Sequence, residues 1–390
     1  MPLLNRAVEM QGEIAEWRRD LHMNPEILFE THRTSAMVTE KLKAFGCDEV
    51  VTGIGRTGVV GIIKGRHGDG PAVGLRADMD ALPMTEETGL AYASKIAGRA
   101  HACGHDGHTA MLLGAARHLS ETRNFRGQVA LIFQPAEEGG GGGDEMVKDG
   151  MMERFGIASV YGMHNFPGLP IGQFAIRNGA MMAATDVFSI KVLGKGGHAA
   201  APHKSVDPIF IGSQIVSALQ GIASRNADPL ESVVVSITRF NAGEANNVIP
   251  QTATLVGTIR TLKKELRELA RANVTRTAEG VAAALGGQAS VDLNYEMGYP
   301  VTRNHEREAA IAAAVARNVA GDKNVDTACA PVMGGEDFSF MLEARPGAFI
   351  FMGNGDTPFC HHPAYDFSDD AIPHGVSYWV KLAETVLAPS

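Results

Sequence analysis

Apolar positions near the amino terminus recur at helical spacing, with Val8, Ile14, Trp17 and Leu21 on one face. Thr34 is placed to cap a second helix that runs to Phe45. Unbroken apolar runs at Val59–Ile63, Ala72–Arg76 and Val129–Phe133 then read as buried strands, and a helical stretch from Thr109 to Leu119 separates the last two. Strands and helices of these lengths predict an α/β sheet with helices on its faces.

The pattern changes near residue 184. Asp186–Leu193 alternates as a half-buried strand does, and Val206–Ser224 is a long apolar helix. Ser232–Phe240 and Thr252–Leu262 are strands rich in Val, Ile and Thr, Lys264–Leu285 is an amphipathic helix, and Ser290–Tyr295 is a last strand. Strand, helix, strand, strand, helix, strand is the split βαβ order of a small ferredoxin-like domain. After Pro300 the α/β character resumes, with helices at Glu306–Ala320 and Ala371–Leu387. Residues 184–295 therefore read as an insertion into a larger, discontinuous domain made of 1–183 and 296–390.

A length of 390 residues agrees with two domains rather than one core. A net charge of −9 disfavours a nucleic-acid backbone as partner. No run of about 18 apolar residues suggests a membrane span, and an amino terminus without an apolar segment leads to the expectation of a cytoplasmic protein. Four cysteines in so long a chain read as thiols, not as a disulfide framework. The 45 glycines, about 12% against a norm near 7%, imply many tight turns.

Four segments carry candidate chemistry. In His101-Ala102-Cys103-Gly104-His105-Asp106-Gly107-His108, a thiolate and an imidazole two residues apart face the same side if the segment is extended. Together they suit zinc, cobalt or nickel; a His-rich loop with one ordinary buried Cys is the alternative. Gln134-Pro135-Ala136-Glu137-Glu138-Gly139 sets two carboxylates after an apolar strand, and on a turn they would point in different directions, one free for proton transfer. Alone, this reads as a solvated acidic turn. Gly162-Met163-His164 ends another apolar stretch, and Cys360-His361-His362-Pro363-Ala364-Tyr365-Asp366-Phe367 is again dense in His.

In that order these motifs resemble the M20 metallopeptidases. The likeness is to their amidohydrolase branch, which includes hippurate hydrolases, N-acyl-amino-acid amidohydrolases and plant auxin-conjugate hydrolases. It also covers Arg18-Arg19-Asp20-Leu21-His22-x-x-Pro25-Glu26, Arg76-Ala77-Asp78-Met79-Asp80-Ala81-Leu82-Pro83 and Gly334-Gly335-Glu336-Asp337-Phe338-Ser339.

The resemblance implies a zinc-peptidase-like mixed-sheet catalytic domain with an inserted ferredoxin-like lid and dimerisation domain. It implies two divalent ions (Mn, Zn, Co or Ni) held by Cys103, His105, Glu138, His164 and His361, with the thiolate bridging and His362 the neighbouring choice for the last ligand. Arg76 stands where other branches carry a histidine ligand, and Asp78 would orient a ligand. Glu137 would be general base to a metal-acidified water. His198, in Gly194-Lys195-Gly196-Gly197-His198, would reach a neighbouring subunit's oxyanion, and Asn247 and Arg260 would grip the substrate carboxylate. The implied reaction is cleavage of a small-molecule N-acyl amino acid by a homodimer whose inserted domain closes about hinges near 184 and 295. A dipeptidase or aminoacylase, a silent metal-binding dimer, and a Cys103 nucleophile served by His105 are the alternatives. Gly139–Gly143 lacks the Lys-Ser/Thr of a phosphate loop and reads as a flexible rim.

Overall fold

The apolar runs pair side by side. A computed structural model of the chain describes residues 3–389; Met1 and Pro2, on which the reading of the amino terminus begins, and Ser390 lie outside the described residues. Gly58–Lys64, Ala72–Asp78 and Gln128–Gln134 join an eight-stranded mixed sheet whose four adjacent strands Gln128–Gln134, Ala72–Asp78, Ile157–Phe166 and Gly347–Gly353 are mutually parallel. Nearly every residue of Ala72–Asp78, Gln128–Gln134 and Gly347–Gly353 is buried, as befits continuous apolar runs. On one face lies the helix His105–Thr122, packed against Gln11–Met23 and Ile372–Val386. On the other, Gly162 leaves room for Phe338 of the short helix Phe338–Ala344: a Cβ there would come within 3.1 Å of its ring.

The chain divides into two compact units. The first comprises Met1–Met181, Arg303–Ala330 and Asp337–Ser390; the second comprises Met182–Thr302 and Pro331–Glu336. In the second, a four-stranded antiparallel sheet has the order Val233–Ala242, Thr252–Thr261, Ala184–Leu193, Gln288–Tyr299. With the helices Pro208–Gly221 and Lys264–Ala284 sharing its core, this is the ferredoxin-like arrangement. Asp207 caps the first of these helices by accepting the Ile209 N–H at 2.8 Å. That helix passes at Ile222 into a π-helical turn ending at Asn226, shortly before Pro229.

One helix start departs from expectation. The helix His32–Ala44 begins before Thr34, which is buried within its first turn. Its cap is remote: Glu26 accepts the N–H groups of Arg33 at 2.9 Å and Thr34 at 2.8 Å. The glycine-rich segment departs too. Gly142–Lys148 is a helix, Gly142 and Gly143 are buried, and the Gly143 N–H donates to Asp337 at 2.8 Å. A Cβ on Gly142 would lie 1.7 Å from the Pro135 carbonyl oxygen, so these glycines permit close packing and are not a flexible rim.

Candidate metal centre

The carboxyl ends of the parallel strands supply the site, as expected of an open α/β sheet. Ala72–Asp78 leads into Asp80, Gln128–Gln134 leads into Glu137 and Glu138, and Ile157–Phe166 carries His164. The Cys103–His105 segment is not extended as the spacing suggested. Gly104, at φ +91°, turns the chain, and His105 is the first residue of the helix His105–Thr122. The turn still brings thiol and imidazole together, because helix entry rotates His105 toward Cys103.

Ligand atoms of Cys103, His105 and His164 lie within 4.8 Å of one another, as do those of Cys103, Glu138 and His361, so the two sets share the thiol. Glu137 joins Glu138 and His105 in a third such group. The two glutamates thus converge on His105, at 4.0 and 3.9 Å from its Nε2, where an acidic turn would splay them. Asp80 enforces this: its two oxygens accept the backbone N–H groups of Glu137 at 3.0 Å and Glu138 at 3.1 Å. Ala136 just before them adopts φ +55°, a left-handed conformation tolerated where surrounding bonds hold it. His361 also has positive φ, and its N–H is tied to the Ala102 carbonyl at 2.7 Å. Its Nε2 stands 3.3 Å from Glu138, whereas His362 turns to accept the Ala364 N–H.

Tautomers follow from the partners. The Nδ1–H of His164 donates to its neighbour's carbonyl at 2.6 Å, leaving Nε2 3.4 Å from the Cys103 sulfur. His105 likewise donates Nδ1–H to the Asp80 carbonyl, leaving Nε2 buried with no hydrogen-bond partner; Glu138 Oε1 makes ion-pair contacts with His361 Nε2 and His105 Nε2. Buried acceptors without donors are costly unless something fills the gap. Two imidazoles, a thiol and carboxylates around such an acceptor fit divalent cations. Burial holds His164 well below the usual histidine range. For His105 burial acts the same way, but Asp78, Asp80 and Glu138 outweigh it and raise the pKa. Glu138 is pushed up by burial and pulled below the carboxylate range by His361 and His105.

Residues given no role by sequence complete the shell. The Cys360 thiol abuts Cys103 and, with burial and Glu138, pushes the Cys103 thiol well up. His108 donates Nδ1–H to Asp78 at 2.6 Å and accepts the Asn165 N–H at 2.9 Å. Arg76 is fully buried against Asp78, Asp337 and Gln134. His101 is buried with neither ring nitrogen hydrogen-bonded, and burial pushes it down to about 4. In the second unit, the strands Gly197–His198 and Val248–Ile249 form a small ribbon, and the Ala199 N–H donates to the Asn247 carbonyl at 3.0 Å. Its His198 and Asn247 are exposed; half-buried Arg260 is bonded to Thr258.

Residues 74–385 match the model of peptidase family M20/M25/M40. This chain belongs to that family. It is a hydrolase of mixed α/β fold, related over nearly its whole length to enzymes of known reaction. A hippurate hydrolase of Campylobacter jejuni is 43% identical, over 98% of this chain and 99% of its own. An N-acetylcysteine deacetylase of Bacillus subtilis is 41% identical, over 95% and 96%. Among solved structures, a dinuclear metal binding peptidase of Bacillus subtilis shares 36% identity and a TM-score of 0.84, covering 98% of this chain and 100% of its own.

Proposed function

We propose that the chain is a binuclear metal-dependent amidohydrolase that cleaves the amide of N-acyl amino acids, hippurate-like or N-acetylated. The observation that carries this reading is the pair of ligand sets sharing Cys103, with Glu137 beside them. Cys103, His105, Glu138, His164 and His361 would hold the ions. Bound there, divalent cations supply Lewis acidity toward a water and an amide carbonyl. Glu137, 7% exposed and fixed through its backbone by Asp80, takes the proton of the attacking water and returns it to the leaving amine. His198 of a neighbouring subunit stabilises the oxyanion, and Asn247 and Arg260 receive the substrate carboxylate. This reading takes the inserted domain, 184–295, as lid and dimerisation module of a cytoplasmic homodimer. Among the described residues no helix is long and apolar enough to cross a membrane.

A cysteine nucleophile is disfavoured by the same geometry. A thiol nucleophile served by His105 would leave Glu137, Glu138, His164 and His361, all gathered around the same point, without a part in the reaction. The test is enzyme stripped by chelator and reloaded with Mn, Zn, Co or Ni, assayed on hippurate, N-acetyl amino acids and dipeptides. Activity on N-acyl amino acids that depends on metal is expected. Turnover by the fully metal-free protein, or cleavage of dipeptides alone, overturns the proposal.

A further inference from the structure

A row of aromatic rings leads from the metal centre to the surface. In the strand Ile157–Phe166, His164 and Phe166 are two residues apart and face the same side of the sheet. The neighbouring strand sets Phe351 beside His164 in register. Ring centroids follow in series: His164 to Phe349 at 6.5 Å, Phe349 to Phe351 at 5.9 Å, Phe351 to Phe166 at 4.8 Å and Phe166 to Phe359 at 5.5 Å. The outermost, Phe359, meets Phe166 edge-on and is 58% exposed. Single exposed apolar residues are ordinary on a protein surface. This one ends a continuous row whose other end is His164, and it directly precedes Cys360 and His361.

We propose that Phe166 and Phe359 determine specificity, forming an apolar wall that receives the acyl group and favours an aromatic acyl group over acetyl. The inference rests on the N-acyl amino acid reading above. A flat ring added to the row gains edge and face contacts with both phenylalanines, while a methyl group spans neither. Phe359 is exposed, so its replacement removes the wall's outer half with little cost to the core.

The test compares hippurate with N-acetylglycine, which differ only in the acyl group, on metal-loaded wild type, Phe359→Ala and Phe359→Trp. The ratio of kcat/KM for hippurate over N-acetylglycine is expected to fall about tenfold in Phe359→Ala, mainly through KM, and to recover in Phe359→Trp. Benzoate, used as a competitive inhibitor, is expected to weaken in parallel in Phe359→Ala, whereas acetate inhibition shifts less. If wild type hydrolyses both substrates and the ratio stays unchanged in Phe359→Ala, the wall is overturned and the amidohydrolase reading stands. If wild type hydrolyses neither, the amidohydrolase reading falls and takes the wall with it.

Discussion

The Nδ1–H of His105 donates to the backbone carbonyl of Asp80 at 2.8 Å, while the Asp80 carboxylate holds the backbones of both glutamates. One residue thus aims the imidazole and the paired carboxylates at the same point. Asp80→Asn keeps the carbonyl but replaces one acceptor oxygen with a donor. It is expected to weaken metal affinity about 10- to 100-fold and to lower stability by about 1–3 kcal/mol through an unsatisfied N–H. Metal titration and denaturant melts measure the two effects. Wild-type affinity in the variant would remove Asp80 from this role.

Glu137→Gln preserves shape and removes the proposed base. Turnover is expected to fall about 10²- to 10⁴-fold, with bound metal per subunit unchanged by elemental analysis. Undiminished turnover would exclude Glu137 as the base, and loss of metal would instead make it a ligand.

Gly104→Ala addresses the turn between the two central donors. Its φ is +91°, and a Cβ would lie 2.2 Å from Asn165 Nδ2 and 2.4 Å from the Tyr365 hydroxyl. The Tyr365 hydroxyl donates to Asn165 Oδ1 at 2.8 Å, and Asn165 Nδ2 donates to the Cys103 carbonyl at 2.6 Å. The substitution is expected to cost at least about 2 kcal/mol and to weaken metal binding, read by thermal melts with and without metal. A variant that melts and binds as wild type does would show that the turn tolerates a side chain.

His22 sets a pH limit on stability. Burial lowers its pKa, but Asp106, bonded at 2.8 Å, and Glu86 raise it to about 9 from 6.5. A raised folded-state pKa means that the protonated ring stabilises the fold fully below about pH 6.5, and that this contribution is lost as pH rises through about 9. The shift corresponds to about 3 kcal/mol. Unfolding free energy is expected to decline between pH 7 and 9.5 in wild type and to be flatter in His22→Gln. Equal slopes in the two proteins would place the titration elsewhere.

Much of this was legible in the chain. The second unit's strands alternate because one face of its sheet is covered, and period-two patterning survives in sequence. The candidate donors that the fold gathers were legible because thiol, imidazole and carboxylate chemistry resides in side chains. What stayed hidden depends on the backbone or on long range. Asp80 acts through a carbonyl and two amides that no residue type advertises. Cys360 meets Cys103 across 257 positions. The convergence of Glu137 and Glu138 follows from the left-handed Ala136, an uncommon conformation that alanine does not announce.

Arg18 is fully buried and binds Asp366 at 3.1 Å and Asp369 at 2.9 Å, some 350 positions away. Contacts of such separation are slow to form, because the intervening chain must first be brought together. During synthesis the early segments leave the ribosome long before His361 and its loop exist. The thiol, His105 and the glutamates must then wait as an open, half-built donor set. With the proposed ligand set, metal capture that depends on His361 belongs to the last stage of maturation, and growing chains carry no finished set.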